Sequence, residues 1–325
     1  MTGRRLTFFA AAMLAGFFAN PASAYTVYVS NEKDNTVSVI DSNSMEVVGT
    51  IDVGQRPRGI TISHDGKMIY VCVSDDDIIE IIDTATHKII GSLPSGPDPE
   101  LFVLSPDGKR LYVANEDDNM VTVIELASKK VLAEIPVGVE PEGMGISPDG
   151  TVVVSTSETT NMAHFIDTSS NRITDNVLVD SRPRFVEFKP DGSEVWVSAE
   201  IGGTVSVIDI ASREVKQKIN FELPGMSAES IQPVGVRITA DGKKAYVALG
   251  PANHVAVVNT ETYEVEKYVL VGQRVWQLAF TPDQKTIIST NGASNDVTFI
   301  DVTTDEPIQS ITVGALPWAV VVAPN

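Results

Sequence analysis

The sequence predicts an all-β fold, a seven-bladed β-propeller of four-stranded antiparallel blades, and three observations carry that prediction. First, a unit of 42 residues recurs, marked by an acidic or amide residue that closes an apolar strand: Asp41, Asp83, Glu125, Asp167, Asp209, Asn259 and Asp301. The spacing is constant except between Asp209 and Asn259, where eight residues are inserted. Second, apolar residues within the unit alternate at a period of two, as at Val37 and Val39 or Val205 and Val207. Helical repeats of similar length would need a period near 3.6 held over ten or more residues. Third, each unit divides into four strand-length runs separated by turn residues.

The unit from Arg58 to Leu93 shows the elements in order. Arg58–Ile62 reads as the first strand, and Ser63, His64, Asp65 and Gly66 as a turn. Met68–Val73 is the second strand, Asp75–Asp77 an acidic loop, Ile78–Asp83 the third strand, and Lys88–Leu93 the fourth. The first turn recurs as Ser105–Gly108, Ser147–Gly150, Lys189–Gly192 and Thr239–Gly242, with Gln284 in the glycine place of the sixth copy. Glycine in the fourth place suits a type I turn. Tyr28, Tyr70, Tyr112, Trp196 and Tyr246 recur on the second strand, where large rings pack one blade on the next. The repeat begins on a second strand, Thr26–Ser30, and the sequence ends on a first strand, Trp318–Val322. The two ends therefore share a blade, which closes the ring and removes exposed sheet edges. The propeller is expected to span residues 25–325 as one domain.

Residues 1–24 read as a cleaved signal peptide. Arg4 and Arg5 precede an apolar run from Leu6 to Phe18, and Ala22, Ser23 and Ala24 form a small-residue cleavage site. This places the mature chain, from Tyr25, in the periplasm, with no membrane span of its own. The formal charge of −19 becomes −21 once the two leader arginines are gone. Such acidity argues against nucleic acid as a partner and for cations or basic proteins. Cys72 is the one cysteine, so an internal disulfide and a c-type haem attachment are both excluded, and no covalent cofactor is expected.

Candidate site residues gather where the repeats disagree. The loop entering each innermost strand carries Pro57, Pro99, Pro141, Pro183, Pro233 and Pro317, with Val275 in the sixth copy. Around these sit Arg56 and Arg58, Asp98 and Glu100, Glu140 and Glu142, Arg182 and Arg184, then Gln232, Arg274, Trp276 and Trp318. In a four-stranded blade this loop and the loop between second and third strands open on one face. Charges crowded round a narrow channel mouth either pair between blades or bind a charged small molecule or ion. The same face carries Asp75, Asp76 and Asp77, and then Glu116, Asp117 and Asp118. Oxygen-rich clusters of this kind suit calcium or a trivalent lanthanide. The inserted segment, Phe221–Ser230, falls on this face as a lid or docking loop or as plain length variation.

The strings Tyr28-Val29-Ser30-Asn31 and Tyr112-Val113-Ala114-Asn115, with Val-Ile-Asp and Ser-Pro-Asp-Gly at fixed offsets, resemble the YVTN family of β-propeller repeats along residues 25–325. Seven such repeats behind a signal peptide are similar to the exported subgroup associated with PQQ-dependent alcohol catabolism and an ABC transporter. That resemblance implies a periplasmic PQQ-dependent dehydrogenase, a cytochrome or a transporter component as partner. It also makes metal handling of interest, because PQQ enzymes require a hard cation. Relatives in the family include lactonases and surface-layer proteins. Three readings stand: a non-catalytic binding or accessory protein, which leads; a lactonase-like hydrolase working at the channel mouth; and a surface scaffold. The four histidines do not pair at metal-ligand spacing, and no G-x-S-x-G motif is present.

Overall fold

A computed structural model describes residues 25–324; residues 1–24, where a signal peptide is expected, lie outside the described residues. Twenty-eight strands form seven four-stranded antiparallel sheets. Blades 2 to 7 are each continuous in sequence, and blade 1 is composite. In blade 1 the last strand, β28 (Pro317–Pro324), lies inside β1 (Tyr25–Asn31), which pairs with β2 (Thr36–Asp41) and then β3 (Glu46–Asp52). The β1–β28 register runs from Tyr25 opposite Pro324 to Asn31 opposite Pro317, so the expected closure is realised. Among the described residues no helix is long and apolar enough to cross a membrane.

The repeat marker has a local physical cause. Asp41 Oδ1 accepts the backbone N–H groups of Asn43 and Ser44, and Asp167, Asp209, Asn259 and Asp301 do the same for their own turns. The marker therefore caps the hairpin between third and fourth strands, an Asx turn. Two residues before it, every blade shifts register between its third and fourth strands, as between Val39 and Ile40 or Phe299 and Ile300. A bulge recurring at one position bends the outer strand and strengthens the blade's twist. That outer strand buries a single apolar residue per blade, Ile51, Leu93, Ile135, Val177, Ile219, Val269 and Ile311, and leaves most of the rest in water. The second-strand rings Tyr28, Tyr70, Tyr112, Trp196 and Tyr246 are all buried, as expected of inter-blade packing.

A second periodic device sets the channel face. Arg56, Asp98, Glu140, Arg182, Arg274 and Leu316, each just before an innermost strand, have φ between 49° and 59°. This left-handed conformation is costly for residues with a Cβ. Each of their N–H groups is held by a side chain from the preceding blade: Asn35, Asp77, Asn119, Asn161, Asn253 and Asn295, at 2.8 to 3.1 Å. Blade 6 departs from the pattern. Gly203 occupies the clamping place, the inserted residues follow, and the innermost strand β20 shrinks to Val236–Ile238.

Two outcomes follow from this geometry. Deleting residues 318–325 strips the inner strand from blade 1, and the cooperative thermal transition is expected to be lost; a truncated chain that melts at the full-length temperature would contradict the closure. Asn119→Ala removes a clamp and leaves a non-glycine residue in the left-handed region, so denaturant melts should show a loss of about 1–3 kcal/mol.

Candidate functional site at the axial mouth

Innermost strands converge on the axis with their first residues at one face, which brings residues far apart in sequence side by side. Eleven of the twelve mouth residues anticipated from sequence gather in two neighbouring ion-pair groups, and Glu140 stands at their rim, accepting a hydrogen bond from Thr159. On one side Arg56 pairs with Asp98, with Glu100 at 3.2 Å and with Asp75 at 2.9 Å. Arg58 contacts Glu100 at 2.5 Å and Glu32 at 3.2 Å, under the ring of Trp318 at 5.6 Å. On the other side Arg184 pairs with Glu158 and lies 3.1 Å from Glu142 and 3.6 Å from Glu200. Arg182 reaches Glu158 and Glu200 at 2.9 and 3.2 Å. Arg274 reaches over blade 6 to Glu200 at 2.7 Å, donating also to Gln232 and stacking 4.2 Å from Trp276. The mouth is thus built as ion pairs between blades.

Burial decides how these groups behave. Glu100 is wholly buried and Glu142 is 1% exposed, so both carboxyls are pushed up, first by loss of water. For Glu100 the nearby Glu142 adds to the rise and Arg58 opposes it. Glu142 is pushed up to about 7, with Arg184 opposing. Its two oxygens accept no hydrogen bond among the described residues, and its contact with Arg184 is an ion pair alone. Such a group is costly unless protonated or supplied with a partner.

Sequence reasoning missed Glu32, Glu158 and Glu200, although a signal was present. All three, with Glu116, stand nine residues before the repeat marker, at the loop leaving each second strand. Superposing the units would have shown carboxylates there in four blades. The carboxylates expected to hold a metal are dispersed. Asp75 pairs with Arg56, Asp76 accepts the Gln55 N–H and Asp77 clamps Asp98, and neither Asp117 nor Asp118 joins a carboxylate cluster among the described residues. Glu116 instead joins Asp98 and Glu100, whose ligand oxygens lie within 4.8 Å of one another. Burial, and then Asp98, raise Glu116 as well.

Residues 117–292, more than half of the sequence, match the choice-of-anchor I domain. The chain belongs to that family. A YNCE-like beta-propeller model matches residues 10–102. No curated protein matches the sequence. Solved structures share the fold of this choice-of-anchor I domain at low identity. Hydrazine synthase of Kuenenia stuttgartiensis superposes with a TM-score of 0.79 at 23% identity, over 86% of this chain and 93% of that one. A functionally unknown protein from Desulfotomaculum acetoxidans gives 0.79 at 14%, over 92% and 99%. A 6-phosphogluconolactonase-like protein from Bacteroides uniformis gives 0.78 at 16%, over 93% and 100%.

In this family member the raised Glu142 has a measurable consequence. Its proton is held by the folded state up to about pH 7 but lost from the unfolded chain above its ordinary range near 4.5. The stability tied to that proton is complete below pH 4.5 and drains away as pH rises through 7. Glu142→Gln keeps the shape without the charge. It should stabilise the protein by about 1–2 kcal/mol at pH 8 and leave it nearly unchanged at pH 4.5, as read by urea melts at both pH values.

Proposed function

We propose that this chain is a non-catalytic binding propeller, exported to the periplasm, that captures a hard cation, calcium or a lanthanide, at its axial mouth in the service of PQQ-linked alcohol oxidation. The observation that carries the reading is the surplus of carboxylates at the mouth. Arg56, Arg58, Arg182, Arg184 and Arg274 face Glu32, Asp98, Glu100, Glu116, Glu142, Glu158 and Glu200. Within that surplus Asp98, Glu100 and Glu116 offer an all-oxygen donor set of the kind hard cations take, with water completing the six to eight ligands such ions need. The fit includes a competitor: Arg56, with a quarter of its side chain exposed, pairs with Asp98 and Glu100 and must swing aside. The leader sequence and the repeat resemblance support the periplasmic setting, with a PQQ-dependent dehydrogenase, a cytochrome or a transporter component as partner.

A hydrolase reading draws on the lactonase-like structural neighbours and on Glu142, whose affinity for protons near pH 7 would suit a general base. At 1% exposure, however, Glu142 is closed off from solvent beside the buried Arg184, 3.1 Å away, which disfavours a role in attacking a bound lactone.

Titration calorimetry and thermal shift with Ca²⁺ and La³⁺ test the proposal. Saturable binding is expected, lost by about tenfold or more in Glu116→Gln and strengthened in Arg56→Gln, since the arginine competes for the same oxygens. Absence of saturable binding for both ions would overturn the cation reading, and turnover of a simple lactone that disappears in Glu142→Gln would favour the hydrolase.

A further inference from the structure

We propose that the junction between blades 2 and 3 is a second binding site, independent of the axial mouth, for a small monocarboxylate with an apolar body. The junction holds a cavity of about 480 Å³, a size typical of small-molecule sites. It opens at the end of the blades opposite the mouth, among the turns joining first to second and third to fourth strands. Met68, Tyr70, Ile81, Leu93, Leu104 and Leu126 form its walls.

The cavity exists because a closure used elsewhere is missing here. At four other junctions the second-strand side chain, or one beside it, meets the left-handed residue four places after the marker of the next blade. Tyr28 hydroxyl lies 3.2 Å from His87 Nε2, with the rings edge to face at 5.8 Å. Trp196 meets Tyr263 at 6.1 Å, Tyr246 hydrogen-bonds Asp305 at 2.5 Å, and Arg213 lies 4.4 Å over Phe165. Between blades 2 and 3 the corresponding pair is Tyr70 and Lys129, and they do not close on each other. Lys129 is exposed and has no ion pair or hydrogen bond among the described residues, while the hydroxyl of the buried Tyr70 has no hydrogen-bond partner.

The chemistry of the rim selects the ligand. Both groups left unpartnered are donors, an ammonium and a phenol, and both line the same apolar space. The rim also carries Asp65 and Asp107, but each is spent on its own turn. Asp65 accepts from Ser63 and the Lys67 N–H, and its other oxygen lies 3.3 Å from the Lys67 ammonium. Asp107 accepts from Ser105 and the Lys109 N–H, with the Lys109 ammonium at 3.6 Å. His64 Nε2 is engaged with the Ser105 carbonyl. With Asp65 and Asp107 each paired to the lysine of its own turn, Lys129 is the lining charge without a partner, and burial together with the negative Asp65 keeps the Tyr70 phenol protonated as a donor. A carboxylate at Lys129 and Tyr70 with a hydrocarbon body between Met68, Leu93 and Leu126 satisfies every free group.

Isothermal titration with octanoate, with octan-1-ol as the uncharged control, tests the site in the full mature chain. Octanoate should bind saturably and at least about tenfold more tightly than octan-1-ol. Lys129→Glu, which reverses the free charge, and Ala127→Trp, which fills the cavity from its exposed rim, should each weaken octanoate by about tenfold or more, while Glu116→Gln leaves it unchanged. Both substitutions are at exposed turn positions, and an unaltered thermal melt shows that the fold is intact. No saturable heat with octanoate, equal binding of the alcohol, or affinity untouched in both variants would overturn the site.

Discussion

One antiparallel ladder governs the molecule: β28 against β1, residues separated by almost the whole length of the chain. A propeller is a row of sheets whose neighbours touch only each other, so an open row would leave two flat faces in water. Pairing the first described strand with the last converts the row into a ring, and the contacts made across the axis depend on that closure. The mouth, in particular, is not a property of any blade. Arg58 of blade 2 needs Glu32 of blade 1 and Glu100 of blade 3, and Arg274 of blade 7 needs Glu200 of blade 5.

At the axial mouth the protein uses charge, whereas further along the innermost strands hydrocarbon such as Leu101, Met144 and Phe185 is buried. Replacing buried ion pairs by apolar residues is often neutral or stabilising, so the pairs give little reason in themselves for such a design. Their directionality does. Guanidinium forks aimed at carboxylates of particular neighbours fix the rotation of each blade about the axis, and the left-handed residues clamped by asparagines fix the height at which each arginine enters. Glu142 is the exception: enclosed and paired with Arg184 but without a hydrogen bond, it stores unfavourable energy that a proton or a bound group can release.

The fold was legible because its determinants are local and periodic. Turn-capping Asp41 and its counterparts, the strand alternation and the terminal half-blade all appear in sequence as spacing. The positions of the mouth arginines and tryptophans were legible for the same reason. Three of their partners, Glu32, Glu158 and Glu200, were legible only by superposing the repeats, which sets them in one column with Glu116. Which carboxylates meet was not legible at all. Asp75, Asp76 and Asp77 look like one cluster in the chain, yet the 3₁₀ turn at Ser74–Asp76 and the left-handed Asp77 send each to a different partner. Adjacent residues diverge wherever the backbone turns that tightly, so runs of like charge say little about a shared ligand.

The insertion after blade 5 has a mechanical consequence. Where six junctions carry an asparagine or aspartate strut, the junction into blade 6 has Gly203 and a three-residue inner strand, and Arg274 must bridge the gap from the far side. A toroid under thermal stress parts at its thinnest seam. Amide protons of Val236–Ile238 should therefore exchange with solvent sooner than their counterparts elsewhere in the ring, and transient widening of the axial opening begins in this sector.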